Sequence, residues 1–201
     1  MIRHDRAPGV LPLGGLGSGW VVMTVLALGD CELSWESASP EESLRAGEAL
    51  GRFLRPGDLV ALFGELGSGK TLFVRGIAMG LGCRPEEVHS PSFTLVNEYD
   101  GAGKEAAATS PWRLAHIDLY RIRSEADLPG IGWDEYLSVR YIVAVEWAER
   151  AVRSLPRDHL RVRLDARGGD RRRVSAQATG SRSARILREW LATLGVHVVP
   201  A

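Results

Sequence analysis

Eight residues of this chain have the types and the spacing that bind the phosphates of a nucleotide. Residues 64–71 follow the pattern G-x-x-x-x-G-K-T, with an apolar run before them and a helix-forming run after them. The glycines let backbone N–H groups converge on oxyanions, and the following helix directs the positive end of its dipole at the same charge. Lys70 is expected to reach the β- and γ-phosphates, and the Thr71 hydroxyl is expected to bind Mg²⁺. The motif therefore predicts a phosphate-binding loop (P-loop), whose nucleotide contacts are Glu65, Leu66, Gly67, Ser68, Gly69, Lys70, Thr71 and Leu72.

Two acidic residues are the candidates for completing a magnesium site beside the loop. Glu146 follows the apolar run 141–145, and Asp118 lies in a predicted strand over 114–119. A P-loop needs such an acid at the end of a neighbouring strand, where it holds Mg²⁺ or a water bound to it. Because the carboxyl ends of parallel strands meet at one sheet edge, we expect both acids beside the phosphates. The residues alone leave open which of the two contacts the metal directly.

A hydroxyl-rich segment is a third candidate, and it consists of Ser90, Pro91, Ser92, Phe93 and Thr94. Its hydroxyls suit phosphate oxygens or a metal-bound water, as in a loop that senses the γ-phosphate. Taken alone, the segment also fits a turn with capping hydroxyls. His116 is interpreted as a hydrogen-bonded structural residue, and Trp112, Trp133 and Trp147 are interpreted as core residues rather than platforms for a base.

The surrounding elements predict an α/β fold. Ser39 is expected to cap a helix that has Pro40 at its first position and Glu42 closing a capping box. Apolar runs over 59–63 and 141–145 predict strands buried on both faces. Helices and strands alternate, which favours a P-loop nucleotide-binding fold with a mostly parallel central sheet. After residue 151, a β-hairpin about Gly168 and a helix over 183–194 are predicted.

Composition argues against a membrane-spanning protein and against a fold held by zinc or disulfides. The formal net charge is zero, and no apolar run reaches the roughly 18 residues of a membrane span. Two cysteines without a C-x-x-C pattern argue against a zinc site and a disulfide framework, so a reducing cytoplasmic compartment is expected. Residues 1–22 are Gly/Pro-rich and are interpreted as a flexible extension. Residues 23–201 are then expected to form one domain.

The C-terminal region is rich in arginine. From residue 151 onward the chain has eleven Arg against four Asp or Glu. Arg161 and Arg163, and likewise Arg171 and Arg173, alternate along their strands and predict one basic face per strand. Such a face either protects an exposed sheet edge or contacts RNA or an acidic protein.

Four motifs together resemble the TsaE (YjeE) family, the bacterial ATPases of tRNA threonylcarbamoyladenosine biosynthesis. They are GELGSGKT at 64–71, SPSFTLV at 90–96, HIDLYR at 116–121 and VEWAER at 145–150. The combination is specific although each motif alone is not, and the resemblance runs from about residue 31 to the arginine-rich hairpin. The extension and an Ala/Gly-rich loop over 100–111 lie outside it.

The resemblance implies a cytoplasmic, Mg²⁺-dependent ATPase that is weak alone and acts with the TsaB–TsaD pair. That assembly transfers a threonylcarbamoyl group to the adenosine beside the anticodon of tRNA. Carried over, Lys70 and Thr71 serve phosphate and Mg²⁺, and Glu146 matches the acidic metal ligand. Asp118 matches the acid that orders the attacking water, and residues 90–94 match a mobile switch-like segment. Ser92 replaces a threonine common in the family and keeps its hydroxyl.

Three other classes are weighed against this interpretation. A GTPase needs an N-K-x-D motif, which this chain cannot contain because its only lysines are Lys70 and Lys104. A small-molecule P-loop kinase is the alternative enzyme, with Arg121 or Arg123 available over the phosphates but no recognisable acceptor site. A nucleotide-gated binding module overlaps with the family interpretation. A kinase would respond to a metabolite, whereas a switch would respond to a protein.

Overall fold

The computed structural model describes residues 9–12, 20–26, 30–101 and 112–193. These residues form one nine-stranded sheet in the order β1-β2-β3-β9-β8-β4-β7-β6-β5. The strands are β1 (Gly9–Pro12), β2 (Trp20–Leu26), β3 (Asp30–Ser37), β4 (Leu59–Phe63), β5 (Val96–Asp100), β6 (Arg113–Asp118), β7 (Tyr141–Glu146), β8 (Leu160–Ala166) and β9 (Arg172–Ala178). The α-helices are α1 (Pro40–Gly51), α2 (Lys70–Gly80), α3 (Trp133–Tyr136) and α4 (Ser181–Thr193). Three 3-10 helices span Pro85–Glu87, Glu125–Ile131 and Ala148–Ala151.

The centre of the sheet is parallel. Strands β8, β4, β7 and β6 run side by side in one direction, and antiparallel strands continue the sheet on both sides. The carboxyl ends of the four parallel strands therefore share one edge, where Phe63, Asp118 and Glu146 end their strands. The hairpin β8–β9 and helix α4 follow, with α4 beginning two residues before the predicted position. The predicted α/β fold with a parallel centre and a C-terminal hairpin plus helix is confirmed.

Two apolar clusters cover the two faces of the sheet. Alternate residues of β4 point to opposite faces, with Val60 and Leu62 in one cluster and Leu59 and Ala61 in the other. The first cluster packs the sheet against α1, α2 and α4, and its largest buried side chain is Trp190. The second lies beneath α3 and the 3-10 helices that follow β6 and β7. Strands β4 and β7 are thus buried on both faces, as their continuous apolar runs predicted.

Helix α1 begins as the sequence predicted, with one difference. The Ser39 hydroxyl accepts a hydrogen bond from Glu42 N at 3.3 Å, and Pro40 occupies the first turn. The Glu42 carboxylate accepts from Ala38 N at 2.7 Å, one residue before the N–H of a standard capping box. The backbone N–H groups of Ala38 and Glu42 at the start of the helix are therefore both hydrogen-bonded to side chains.

Helices α1 and α2 approach each other through glycines. Gly47 and Gly51 on α1 face Gly76 and Gly80 on α2, so each helix presents a pair of glycines spaced by four. A Cβ at Gly76 would overlap the Leu44 carbonyl oxygen and would lie 3.1 Å from the Gly47 Cα. This close backbone contact sets the position of α2, whose first turn carries the end of the P-loop.

The predicted N-terminal boundary between residues 22 and 23 falls inside β2 and stays a prediction. Residues 9–12 and 20–22 of the predicted extension belong to strands β1 and β2, whereas 1–8 and 13–19 lie outside the described residues. Residues 102–111 of the predicted surface loop also lie outside them. Within the described ranges, no helix has both the length and the apolar character needed to cross a membrane.

Candidate nucleotide-binding site

Residues 64–71 connect β4 to α2 in the strand–loop–helix arrangement that the motif predicts. Gly64, Gly67 and Gly69 have φ angles of 138°, 75° and 102°, which side chains rarely adopt. A Cβ at Gly64 would overlap the Leu164 carbonyl oxygen, whereas a Cβ at Gly67 would meet no described residue within 4 Å other than its chain neighbours. The Ser68 hydroxyl is buried without a hydrogen-bond partner among the described residues. The loop thus has the backbone shape of an anion-binding nest at the start of a helix.

Lys70 lies inside this loop. Its side chain donates to the carbonyl oxygens of Gly64 and Glu65 at 2.6 and 2.9 Å, and the residue is 4% exposed. Its ammonium group sits 4.0 Å from the ring centroid of Trp147. Burial lowers the pKa of the Lys70 ammonium, and the charge of Glu146 acts against that shift. The lysine is therefore placed at the P-loop as the motif predicts, with an aromatic neighbour that the motif does not specify.

Thr71 and Glu146 meet at the start of α2. The Thr71 hydroxyl donates to Glu146 Oε1 at 2.7 Å, although the two residues are 75 positions apart in sequence. A hydroxyl and a carboxylate are hard oxygen ligands of the kind that Mg²⁺ takes beside nucleotide phosphates. The residues present therefore fit a magnesium ion at this position.

His116 supports Glu146 from the neighbouring strand. Its Nε2 lies 2.8 Å from Glu146 Oε1, and because a carboxylate can only accept, the histidine donates this hydrogen bond. The ring is fully buried, and its Nδ1 makes no hydrogen bond within the described residues. A hydrogen-bonded structural role, as the sequence indicates for His116, does not by itself predict this contact. The alternation of His116 with Asp118 along β6 is the signal that places it on the same face.

Asp118 is held by the hydroxyl-rich segment. In the register of the sheet it lies directly opposite Glu146. Its Oδ2 accepts from Ser90 at 3.1 Å and from Ser92 at 2.8 Å, and its Oδ1 accepts from Tyr120 N at 2.8 Å. The structure thus brings both predicted acids and two of the predicted hydroxyls together beside the P-loop.

The other predicted residues are placed as follows. The Thr94 hydroxyl donates a hydrogen bond to Asn97 Oδ1 at 2.9 Å, rather than to Asp118. Pro91 is buried, whereas Phe93 is 84% exposed and lies beneath the Arg121 guanidinium, 4.4 Å from it. Leu66 is 76% exposed at the loop tip, Glu65 is exposed, and Leu72 is half-buried on α2. The nucleotide contacts predicted for Glu65, Leu66 and Leu72 remain predictions.

Trp147 is a second residue whose place at the site was missed. It adopts a positive φ of 57° directly after Glu146, and its ring contacts both the Lys70 ammonium and the Tyr120 ring, whose centroid is 4.9 Å away. Trp133, by contrast, is buried in the core and donates to the Ser154 carbonyl, as the interpretation of tryptophans as core residues expects.

Arg172, at the start of β9, ties the C-terminal hairpin to the P-loop. Its Nε donates to the Ser68 carbonyl at 2.9 Å, and one terminal nitrogen lies 3.3 Å from the Gly67 carbonyl. The other terminal nitrogen donates to the carbonyls of Gly169 and Arg171, both at 2.9 Å. Four backbone carbonyls thus surround one guanidinium. The alternation of the flanking Arg171 and Arg173 predicts a basic face but does not indicate this role of Arg172.

Replacing Arg172 by alanine is expected to weaken nucleotide binding about tenfold, because charge-assisted hydrogen bonds that hold the loop are lost. Titration with a fluorescent ADP analogue measures this. Arg173→Ala is the matched control, since Arg173 is the next residue and pairs instead with Glu36 at 3.1 Å. Equal affinities for the two variants would show that Arg172 does not position the loop.

Comparisons with known proteins agree with this geometry. A family model described as "Threonylcarbamoyl adenosine biosynthesis protein TsaE" matches residues 37–174. A Bacillus subtilis (strain 168) protein named tRNA threonylcarbamoyladenosine biosynthesis protein TsaE is 35% identical over 159 residues, covering 79% of this chain and 93% of that protein. The protein of the same name from Treponema pallidum (strain Nichols) is 39% identical over 120 residues, or 60% and 82% of the two chains. The crystal structure of Bacillus subtilis YdiB superposes with a TM-score of 0.66 and 30% identity, covering 83% of this chain and 99% of that one.

Proposed function

This chain belongs to the TsaE family, and we propose that it is an ATP-binding and ATP-hydrolysing subunit acting in threonylcarbamoyladenosine biosynthesis on tRNA. The observation that carries the proposal is the hydrogen bond from Thr71 of the P-loop to Glu146 at the end of β7. Asp118 lies opposite Glu146 in the sheet. The relatives are named for tRNA modification, which fits this function and not the small-molecule kinase considered from the sequence.

The ATP site follows from the loop and its two acids. The loop backbone and Lys70 would bind the phosphates, and Thr71 with Glu146 would hold Mg²⁺. Bound Mg²⁺ neutralises charge on the phosphate oxygens. His116 orients the Glu146 carboxylate through its hydrogen bond, so that one carboxylate oxygen faces Thr71.

Asp118 is the residue proposed to orient the attacking water. Phosphoryl transfer needs little covalent help from the protein, so positioning the water and stabilising charge are the main tasks. In this structure the Ser90 and Ser92 hydroxyls occupy one carboxylate oxygen of Asp118. When these hydroxyls turn toward a phosphate, that oxygen becomes free to accept a hydrogen bond from water. Residues 90–94 would thereby act as a switch.

The surface beside the site has exposed apolar side chains that a protein partner could cover. Leu66 and Phe93 are large apolar side chains at 76% and 84% exposure, one on the P-loop and one on the switch segment. Exposed apolar residues that flank a site are typical of a docking surface. We propose that the partner is the TsaB–TsaD pair, which would cover the phosphates from this side. The proposed compartment is the cytoplasm.

The test is ATP hydrolysis by the purified chain, alone and with the TsaB–TsaD pair from the same source. Slow hydrolysis that the pair stimulates is expected, and Phe93→Ser should lose most of the stimulation while still binding nucleotide. Val139→Ser is the control, because Val139 is an equally exposed apolar residue, 79%, beside Gly57 and before the amino end of β7. Nucleotide binding without stimulation by the pair, together with turnover that depends on a small acceptor, would replace this proposal by the kinase.

A further inference from the structure

Within the part of the chain that the structure describes, one face of the C-terminal hairpin is not covered by a helix. Along β8, Leu160, Val162 and Leu164 are buried in the cluster beneath the helices. Arg161 and Arg163 alternate with them and therefore point to the opposite face of the sheet. A depression of about 210 Å³ lies on this face, and it is lined by Phe63, Arg161, Arg163, Ser175, Ala176 and Gln177.

The two arginines in this depression lack close carboxylate partners. No carboxylate lies within 4 Å of Arg161 among the side chains that the structure describes, and its Nε donates to His159 Nε2 at 3.2 Å. Arg163 comes no closer than 3.8 Å to Asp165. By contrast, Arg182 makes two bonds to Asp58, at 2.9 and 2.7 Å. The positive charge of this face is therefore left largely available.

Neutral hydrogen-bonding groups stand opposite the two arginines. In the sheet register Arg161 faces Gln177, and Arg163 faces Ser175. Neither the Ser175 hydroxyl nor the Gln177 amide makes a side-chain hydrogen bond to another described residue. The Phe63 ring lies at the rim, 5.8 Å from the Arg163 guanidinium. Two guanidinium groups, of which only that of Arg163 has a described carboxylate within 4 Å, share a small open pocket with two polar donors and one aromatic ring.

We propose that this basic strand face, made of Arg161, Arg163, Ser175 and Gln177, binds phosphodiester groups of an RNA strand. Guanidinium groups bind phosphate oxygens in a bidentate manner, and short hydroxyl and amide groups suit sugar and phosphate oxygens. An aromatic ring beside such a groove offers a surface on which a base can stack. The identity of the RNA rests on the proposed function, which makes tRNA the strand to test. An acidic protein segment is the competing occupant.

The experiment measures binding of an unmodified tRNA transcript to the full chain over a range of salt concentrations. The double variant Arg161→Ala/Arg163→Ala is expected to bind about tenfold more weakly at low salt, and its slope of log K against log salt should fall by about 2, or one per arginine. The matched control is Arg185→Ala/Arg188→Ala. It removes the same charge from exposed positions of α4, which packs on the other face of the sheet.

Equal losses in both double variants, or no loss in either, would overturn the proposal. So would a wild-type chain that binds a polyglutamate peptide through Arg161 and Arg163 but does not bind tRNA, since the occupant would then be an acidic protein. ADP-analogue binding is measured on every variant and is expected to stay unchanged in both. A wild-type chain that fails to bind nucleotide would instead contradict the proposed function, so the two failures are distinguishable.

Discussion

Alanine at Asp118 or at Glu146 is expected to reduce ATP turnover by at least about 100-fold, because each would remove a group proposed to position the attacking water or the metal ion. Asp118 is expected to orient water, and Glu146 is expected to hold Mg²⁺ together with Thr71. Phosphate release in the presence of the TsaB–TsaD pair measures the effect. Lys70→Ala should lower turnover and also weaken nucleotide binding, since the lysine is expected to contact the phosphates directly.

Three controls separate chemistry from folding. Glu146→Ala leaves the buried Nε2–H of His116 without its acceptor, so Glu146→Gln is tested beside it as a variant of the same size. Glu135→Ala removes an exposed carboxylate on α3 and should keep full activity. Asp118→Ala should still bind nucleotide. Undiminished hydrolysis in an Asp118 or Glu146 variant would remove that residue from the mechanism.

The second large effect is expected at the glycine contact between α1 and α2. Gly76→Ala should lower the free energy of unfolding by about 2–3 kcal/mol, since the added Cβ overlaps the Leu44 carbonyl oxygen and forces two packed backbones apart. In an open helix the same substitution stabilises by roughly 1 kcal/mol, so the sign itself is informative. The midpoint and slope of urea unfolding measure it.

Gly130→Ala is the control for this substitution. Apart from its own neighbours in the chain, no described residue has an atom within 4 Å of a Cβ at Gly130, so the effect of Gly130→Ala is expected to stay within about 0.5 kcal/mol. If Gly76→Ala were as stable as Gly130→Ala, the two helices would not be held in the close contact described. Because α2 begins with Lys70 and Thr71, a shifted α2 should also weaken nucleotide binding.

The fold could be predicted well because its signals are local. The run over 59–63 is apolar at every position, and such a strand is stable only when both of its faces are covered. The glycines of the P-loop indicate a backbone shape that few other residues adopt, so the loop was recognisable from eight positions. Asp118 and Glu146 were placed at one edge because parallel strands bring their carboxyl ends together.

The sequence by itself therefore determined the P-loop, the parallel centre and the pair of strand-end acids, since each depends on a short stretch of chain and a general rule of sheet geometry. Only the tertiary structure decided that His116 supports Glu146, that Trp147 lies against Lys70, and that Arg172 holds the Ser68 carbonyl from 104 positions away. Long polar and aromatic side chains can form favourable contacts with many different groups. Which partner they contact depends on the strands that become neighbours in the sheet, and no local pattern encodes that choice.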